Sequence, residues 1–208
     1  MTADRSAGPY PRLSFFVERS LIAQFYFLLQ QGVRVKRRIG CSVDIFLRQE
    51  MGASAETIEK IQSIMLDGKP VDDITSSLVH DGSILALSAA MPGLVGATLR
   101  RGGKYASFRS GITYHETERV CAAGEGWVCV KIFNLLMAEM GPPLLRAGVL
   151  VKSSDLFGFL KERGMELERG CRIMLDYKPV EMSLLKRGTA LAGMDQIFLT
   201  VEDGAGSD

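Results

Sequence analysis

An eight-residue block occurs twice in this chain, and internal repetition constrains a fold more than any other sequence feature here. Ile64-Met65-Leu66-Asp67-Gly68-Lys69-Pro70-Val71 returns as Ile173-Met174-Leu175-Asp176-Tyr177-Lys178-Pro179-Val180, with one difference in eight. Upstream of each block, at nearly the same separation, lies a second match. Ser42-Val43-Asp44-Ile45-Phe46 corresponds to Ser153-Ser154-Asp155-Leu156-Phe157. Two matches in one order are hard to produce by chance.

Each block has a local meaning. A serine hydroxyl at Ser42 or Ser153 accepts an orphan amide at a helix start, and Asp44 or Asp155 then sits in the positive first turn. The helices expose apolar faces through Phe46 and Leu47, and through Leu156, Phe159 and Leu160; Gly52 and Gly164 suit their ends. The later block reads as a strand running into a turn at Asp67 or Asp176. Tyr177 in the place of Gly68 suggests that this turn position does not need a positive φ.

Two strands are expected before each helix. In the second copy they are 127–134 and 144–151, joined through Met140-Gly141-Pro142-Pro143. In the first they are 24–29 and 32–39, meeting at Gln31-Gly32, with 24–29 also compatible with helix. Closing strands follow at 83–88 and 196–201. The order strand, strand, helix, strand, strand is that of the β-grasp, in which one helix crosses a mixed sheet. The expected class is therefore α+β: two tandem β-grasp (ubiquitin-like) units with a hairpin-bearing connector. The expected boundaries are 1–20 for an N-terminal extension, 21–90 for the first unit, 91–118 for the connector and 119–208 for the second unit.

Val130-Lys131-Ile132-Phe133, Met140-Gly141 and the Ser-Asp-Leu helix start resemble the small sulfur-carrier subunit of molybdopterin synthase and the thiamine sulfur-carrier family. Asp81-Gly82-Ser83-Ile84-Leu85-Ala86-Leu87, followed by Met91-Pro92-Gly93-Leu94-Val95-Gly96, is similar to the last strand and tail of the same class. The resemblance implies a carrier whose terminal Gly-Gly is adenylated and converted to a thiocarboxylate. The chain departs from that pattern, with Gly96-Ala97 in the first copy and Asp203-Gly204-Ala205-Gly206-Ser207-Asp208 after the second. Those departures speak against carrier chemistry and leave it as an alternative.

Catalytic and metal-binding patterns are not found. Cys41, Cys121, Cys129 and Cys171 form no Cys-x-x-Cys, and His80 and His115 lack the spacing of a ligand set. No nucleophile is arranged with a histidine and a carboxylate, and no glycine run forms a phosphate loop. Asp72-Asp73 reads as solvated rather than as an acid–base pair. The expectation is a non-enzyme with no cofactor. Residues 21–29 are apolar but too short to span a bilayer, which with the absence of a clean secretory signal makes a cytoplasmic protein the default.

A net charge of +1 on 208 residues gives no whole-protein field for nucleic acid. Arg34, Lys36 and Arg38 would share one strand face, which keeps an RNA-binding module as an unfavoured alternative. A protein partner fits better, through sheet edges or through the connector. There 97–101 and 104–108 flank Gly102-Gly103 as strand-like arms, a hairpin signal. Leu99-Arg100-Arg101-Gly102-Gly103 also invites comparison with the ubiquitin tail, and cleavage after Gly103 would expose a diglycine. The expected binding residues are Arg100, Arg101, Gly102, Gly103, Lys104, Tyr105 and Arg109.

Overall fold

The computed structural model describes residues 9–109, 111–116, 123–168 and 170–204. In chain order the elements are β1 (Arg12–Val17), a 3-10 helix (Arg19–Phe25), α1 (Tyr26–Gln31), β2 (Val33–Ile39), β3 (Cys41–Ser42) and α2 (Val43–Ile45). A π-helical turn (Phe46–Glu50) extends α2, before α3 (Ala55–Lys60), β4 (Ser63–Leu66), β5 (Lys69–Pro70), β6 (Leu78–Val79) and β7 (Ile84–Ser88). Then come α4 (Gly93–Leu99), a 3-10 turn (Ala106–Arg109), β8 (Gly124–Phe133), α5 (Leu136–Ala147), β9 (Val149–Lys152) and α6 (Ser153–Leu167). The chain closes with β10 (Cys171–Leu175), β11 (Lys178–Pro179), α7 (Met182–Lys186), a 3-10 turn (Thr189–Leu191) and β12 (Gln196–Asp203). The class is α+β.

Two compact units result: Gly32–Gly141, and Met1–Gln31 together with Pro142–Asp208. In the unit of residues 32–141 the sheet order is β2-β8-β7-β4-β5. β8 runs antiparallel to β2 (Val33 opposite Val130) and parallel to β7 (Leu87 opposite Ile132); β4 is antiparallel to β7 and to β5. Period-2 alternation buries Val33, Val35, Ile64, Leu66, Leu85, Leu87, Val128, Val130 and Ile132, together with Phe46 and Leu47. Ser42 caps α2 as expected, its Oγ accepting from Ile45 N at 3.3 Å. Ser54 caps α3 in the same way through Thr57 N. Glu139 of α5 accepts from Lys60 Nζ and from Thr57 Oγ1, and these hydrogen bonds, the Lys60 one foremost, hold its carboxyl below the ordinary value.

In the other unit the order is β9-β12-β1-β10-β11. β1 runs parallel to β12 and antiparallel to β10, and β9 is antiparallel to β12. Phe15, Phe25 and Phe159 form a buried aromatic cluster, the first pair edge-to-face and the second tilted, with centroids 5.1 and 5.0 Å apart, joining β1, the first 3-10 helix and α6. The strand sets of the two units share one plan of directions, but not one chain order. The closing strand β7 lies beside β4, whereas the closing strand β12 lies beside β9, with β1 filling the place next to β10.

Several expectations are corrected. Residues 1–20 are more than an extension: β1 is a central strand, with Leu13, Phe15 and Val17 fully buried. Residues 24–29 are helical, because Ile22, Phe25, Leu28 and Leu29 recur at helical spacing and are buried. The segment around Gly141-Pro142-Pro143 is no strand turn. Leu136, Met140, Leu144 and Leu145 of α5 are buried, and both prolines lie inside that helix. β8 belongs with residues 32–141, so neither the boundary at 119 nor a chain-order match of 32–88 with 126–201 holds. The apolar face of α6 lies where expected, with Leu156, Phe159 and Leu160 in the core, while Phe157 and Leu175 are half-buried.

The repeated turn carries the clearest correction. Asp67 and Gly68 have φ of 51° and 79°, and Asp176 and Tyr177 have 46° and 64°, so Tyr177 does adopt the left-handed conformation. Both aspartates are held alike. Asp67 Oδ1 accepts from Ile84 N at 2.7 Å, and Asp176 Oδ1 accepts from Arg12 N at 2.8 Å. The strand beside the turn fixes the backbone, and Tyr177 bears the strain that Gly68 avoids.

Candidate functional site

The connector after β7 begins at Met91-Pro92 and turns into α4. Gly96 is required there, because a Cβ at that position would lie 1.7 Å from the Met91 carbonyl oxygen. After α4 the chain turns with Gly103 N donating to Arg100 O at 3.1 Å, and Gly102 takes a positive φ of 60°. The expected hairpin is absent. Residues 97–99 are helical, and 104–108 lead into a 3-10 turn, because the Gly-Gly pair breaks a helix instead of joining two paired strands.

Arg109 organises this segment. Its Nε donates to Thr98 O, its Nη1 to Asp72 Oδ2 and Thr113 Oγ1, and its Nη2 to Asp72 Oδ1 and Arg100 O. All five guanidinium N–H donors are thereby used, two of them in a bidentate grip on one carboxylate. The side chain is 4% exposed, so Arg109 is a structural pin and is not presented to a partner. Further ties join the segment to the neighbouring strands: Arg101 N donates to Gln62 O at 2.7 Å, and Tyr114 N donates to Pro70 O at 2.8 Å. Glu116 Oε2 accepts from Leu78 N, and Tyr114 Oη and His80 Nε2 lie within hydrogen-bond range of it. The edge at β5 is thus partly occupied by the chain itself and ends on Pro70, which blunts it as a strand acceptor.

The other expected binding residues fall around this pin. Arg100, Gly102, Lys104 and Tyr105 are exposed, and Arg101 and Gly103 are half-buried. Between them stand residues that the sequence reading missed. Leu94 is 74% exposed, Val95 62%, Phe108 84% and Ile112 59%. The Tyr105 and Phe108 rings lie with centroids 6.2 Å apart. Phe108 was hidden by its placement in a strand arm, where alternation would have left its direction open.

Beside the pin is a cavity of about 390 Å³ bounded by Asp72, Asp73, Ser76, Thr113, Tyr114 and Glu116. The Thr75 hydroxyl and then the Ser76 hydroxyl hydrogen-bond the Asp73 carboxylate and hold its pKa down to about 2. Asp72 and Asp73 are therefore separately committed, one to Arg109 and one to its own turn.

The first basic run is committed too. Lys36 pairs with Glu125 at 2.9 Å, Arg38 with Glu50 at 3.3 Å, and Arg34 lies over the Trp127 ring at 5.2 Å. Cys41, Cys129 and Cys171 are half-buried, and Cys121 lies outside the described residues. Burial, then the Glu168 charge, pushes the Cys171 thiol above its ordinary value. Among the described residues no group of three or more His, Cys, Asp or Glu side chains could hold a metal ion. No helix among them is long and apolar enough to cross a membrane. In comparisons with known proteins, no family model, curated protein or solved structure matches the chain.

Proposed function

We propose that the chain is a pair of β-grasp-like units whose role is non-catalytic binding of a protein partner through the connector. One observation carries this reading. A buried, fully hydrogen-bonded arginine orders a segment that would otherwise be a loop, and that segment holds Leu94, Val95, Phe108 and Ile112 in solvent beside Arg100, Lys104 and Tyr105. Large exposed apolar side chains and cations carried along one such segment are the composition of a protein-binding surface, with aromatic and arginine anchors. Preorganisation by Arg109 lowers the ordering entropy of association. The β-grasp reading is supported by a parallel strand pair flanked by antiparallel neighbours in each unit.

The test is affinity capture from the source cell with mass spectrometry of the recovered proteins. It compares the wild-type chain with a Phe108→Ser variant and with a variant carrying Arg100→Ala, Arg101→Ala and Lys104→Ala. A specific partner recovered by wild type and depleted in both folded variants is expected. Equal recovery by all three would sink the connector reading. Binding of RNA with affinity that falls steeply with salt, or a mass gain on incubation with an activating enzyme and ATP, would replace protein binding as the function.

A further inference from the structure

The repeated block lays down matching backbone in both copies. Val71 N donates to Ile64 O at 2.9 Å and Val180 N to Ile173 O at 3.1 Å, so Gln62, Pro70 and Asp72 correspond in position to Cys171, Pro179 and Glu181. In the first copy all three hold the connector. Gln62 O accepts from Arg101 N, Pro70 O from Tyr114 N, and Asp72 from Gly102 N and the Arg109 guanidinium. Pro70 and Val71 are buried there. In the second copy the three corresponding residues instead border a cavity of about 440 Å³, where Pro179 is exposed and Val180 half-buried. β11 pairs only with Met174 and Leu175, and carbonyl directions alternate along a strand, so Cys171 O points the same way as Ile173 O, past the end of β11. Among the described residues none donates a hydrogen bond to Cys171 O or Pro179 O. Glu168 pairs with Lys186 at 3.2 Å, and Arg172 lies over the Phe16 ring at 4.6 Å. Glu181 is exposed, and among the described residues only the Ser183 hydroxyl donates to its carboxylate.

We propose that this edge of the second copy takes an arginine-bearing segment of a partner protein, seated as the connector is seated on the first copy. Backbone N–H groups of the segment donate to Cys171 O and Pro179 O, the way an exposed sheet edge recruits an incoming chain. Its arginine grips Glu181 as Arg109 grips Asp72, with a planar fork matched to the carboxylate. The same segment covers Pro179 and Val180, as the connector covers Pro70 and Val71. A second copy of the chain does not supply the segment, because its connector is already held by its own Asp72 and Gln62.

The probe is a synthetic peptide with the sequence of residues 98–114, titrated into the full chain and followed by amide chemical shifts. Saturable shifts are expected at Arg172, Val180 and Ser183, with Gln62 and Val71 unmoved because the chain's own connector is seated there. Replacing the peptide's arginine, Arg109→Ala, should weaken binding about 3–10-fold while leaving its other cations in place. Glu181→Gln in the chain should weaken the unaltered peptide by the same factor, and the two changes together should cost no more than either alone. Absence of saturable shifts at residues 171–183 overturns the proposal. So does an Arg109→Ala peptide that binds as tightly as the unaltered one, since general attraction of a cationic peptide would then suffice. Shifts at residues 171–183 that grow with chain concentration in the absence of peptide also overturn it, by making a second copy the occupant.

Discussion

Replacing Arg109 by Met keeps an unbranched stem of similar length and deletes the guanidinium. The loss comprises the bidentate grip on Asp72 and the hydrogen bonds to Thr98 O, Arg100 O and Thr113 Oγ1. Removing one partner of a buried charge pair costs ~3–5 kcal/mol. Asp72 is 34% exposed, so water recovers part of that, leaving about 2–3 kcal/mol. The effect falls on the connector, because every acceptor except Asp72 belongs to it. At about 1.4 kcal/mol per factor of ten, local opening should become about 30–150-fold more frequent. Native-state hydrogen exchange reads this at the amides of Arg101, Thr113 and Tyr114, whose acceptors are Gln62 O, Arg109 O and Pro70 O. The sheet amides of Leu66 and Leu85 should exchange as in wild type. Acceleration of less than about twofold at the connector amides, or equal acceleration in the sheet, would refute the reasoning that Arg109 holds this segment locally.

Tyr177→Gly removes a left-handed non-glycine residue, a relief of ~1–2 kcal/mol that the greater freedom of the unfolded chain partly offsets. A net gain of about 0.5–1 kcal/mol is expected in denaturant unfolding, and a loss would show that Tyr177 makes compensating contacts. Leu66→Ala, at a site with no exposure, should lose about 2–5 kcal/mol in the same assay; a loss of a few tenths would remove it from the core. Asp73 should titrate near 2 by carboxyl NMR, and Thr75→Ala should raise that midpoint toward the ordinary aspartate value of 3.8. Because the folded pKa is the depressed one, the stabilisation from this turn is present above the unfolded value and is lost as pH falls from about 4 toward 2. An Asp73 midpoint unmoved by Thr75→Ala would discard the turn as its cause.

The elements that local chemistry specifies were legible in the chain. Ser42 caps its helix, the repeated Ile-Met-Leu is a strand in both places, and the Asp turns follow it. What the sequence hid was long-range pairing. Nothing local says that β1 pairs with β12 across nearly the whole chain, although the alternation of Leu13, Phe15 and Val17 marks a strand. Tyr177 misled because turn chemistry was inferred from the side chain, whereas the hydrogen bond from Arg12 N to Asp176 fixes the backbone. At the connector, Gly102-Gly103 signals a hairpin because I′ turns favour such pairs, but hairpins also need arms with partners. The role of Arg109 was invisible for the same reason: Asp72 lies 37 positions away in sequence.

The central claim is that the ordered connector is the binding surface. Hydrogen exchange by mass spectrometry, on the chain alone and saturated with the captured partner, tests it most directly. The claim predicts that protection on binding concentrates in residues 93–112, around Leu94, Val95, Tyr105 and Phe108, and that Phe108→Ser abolishes it. Protection confined to other segments, such as α6 or β12, with residues 93–112 unchanged, would contradict it.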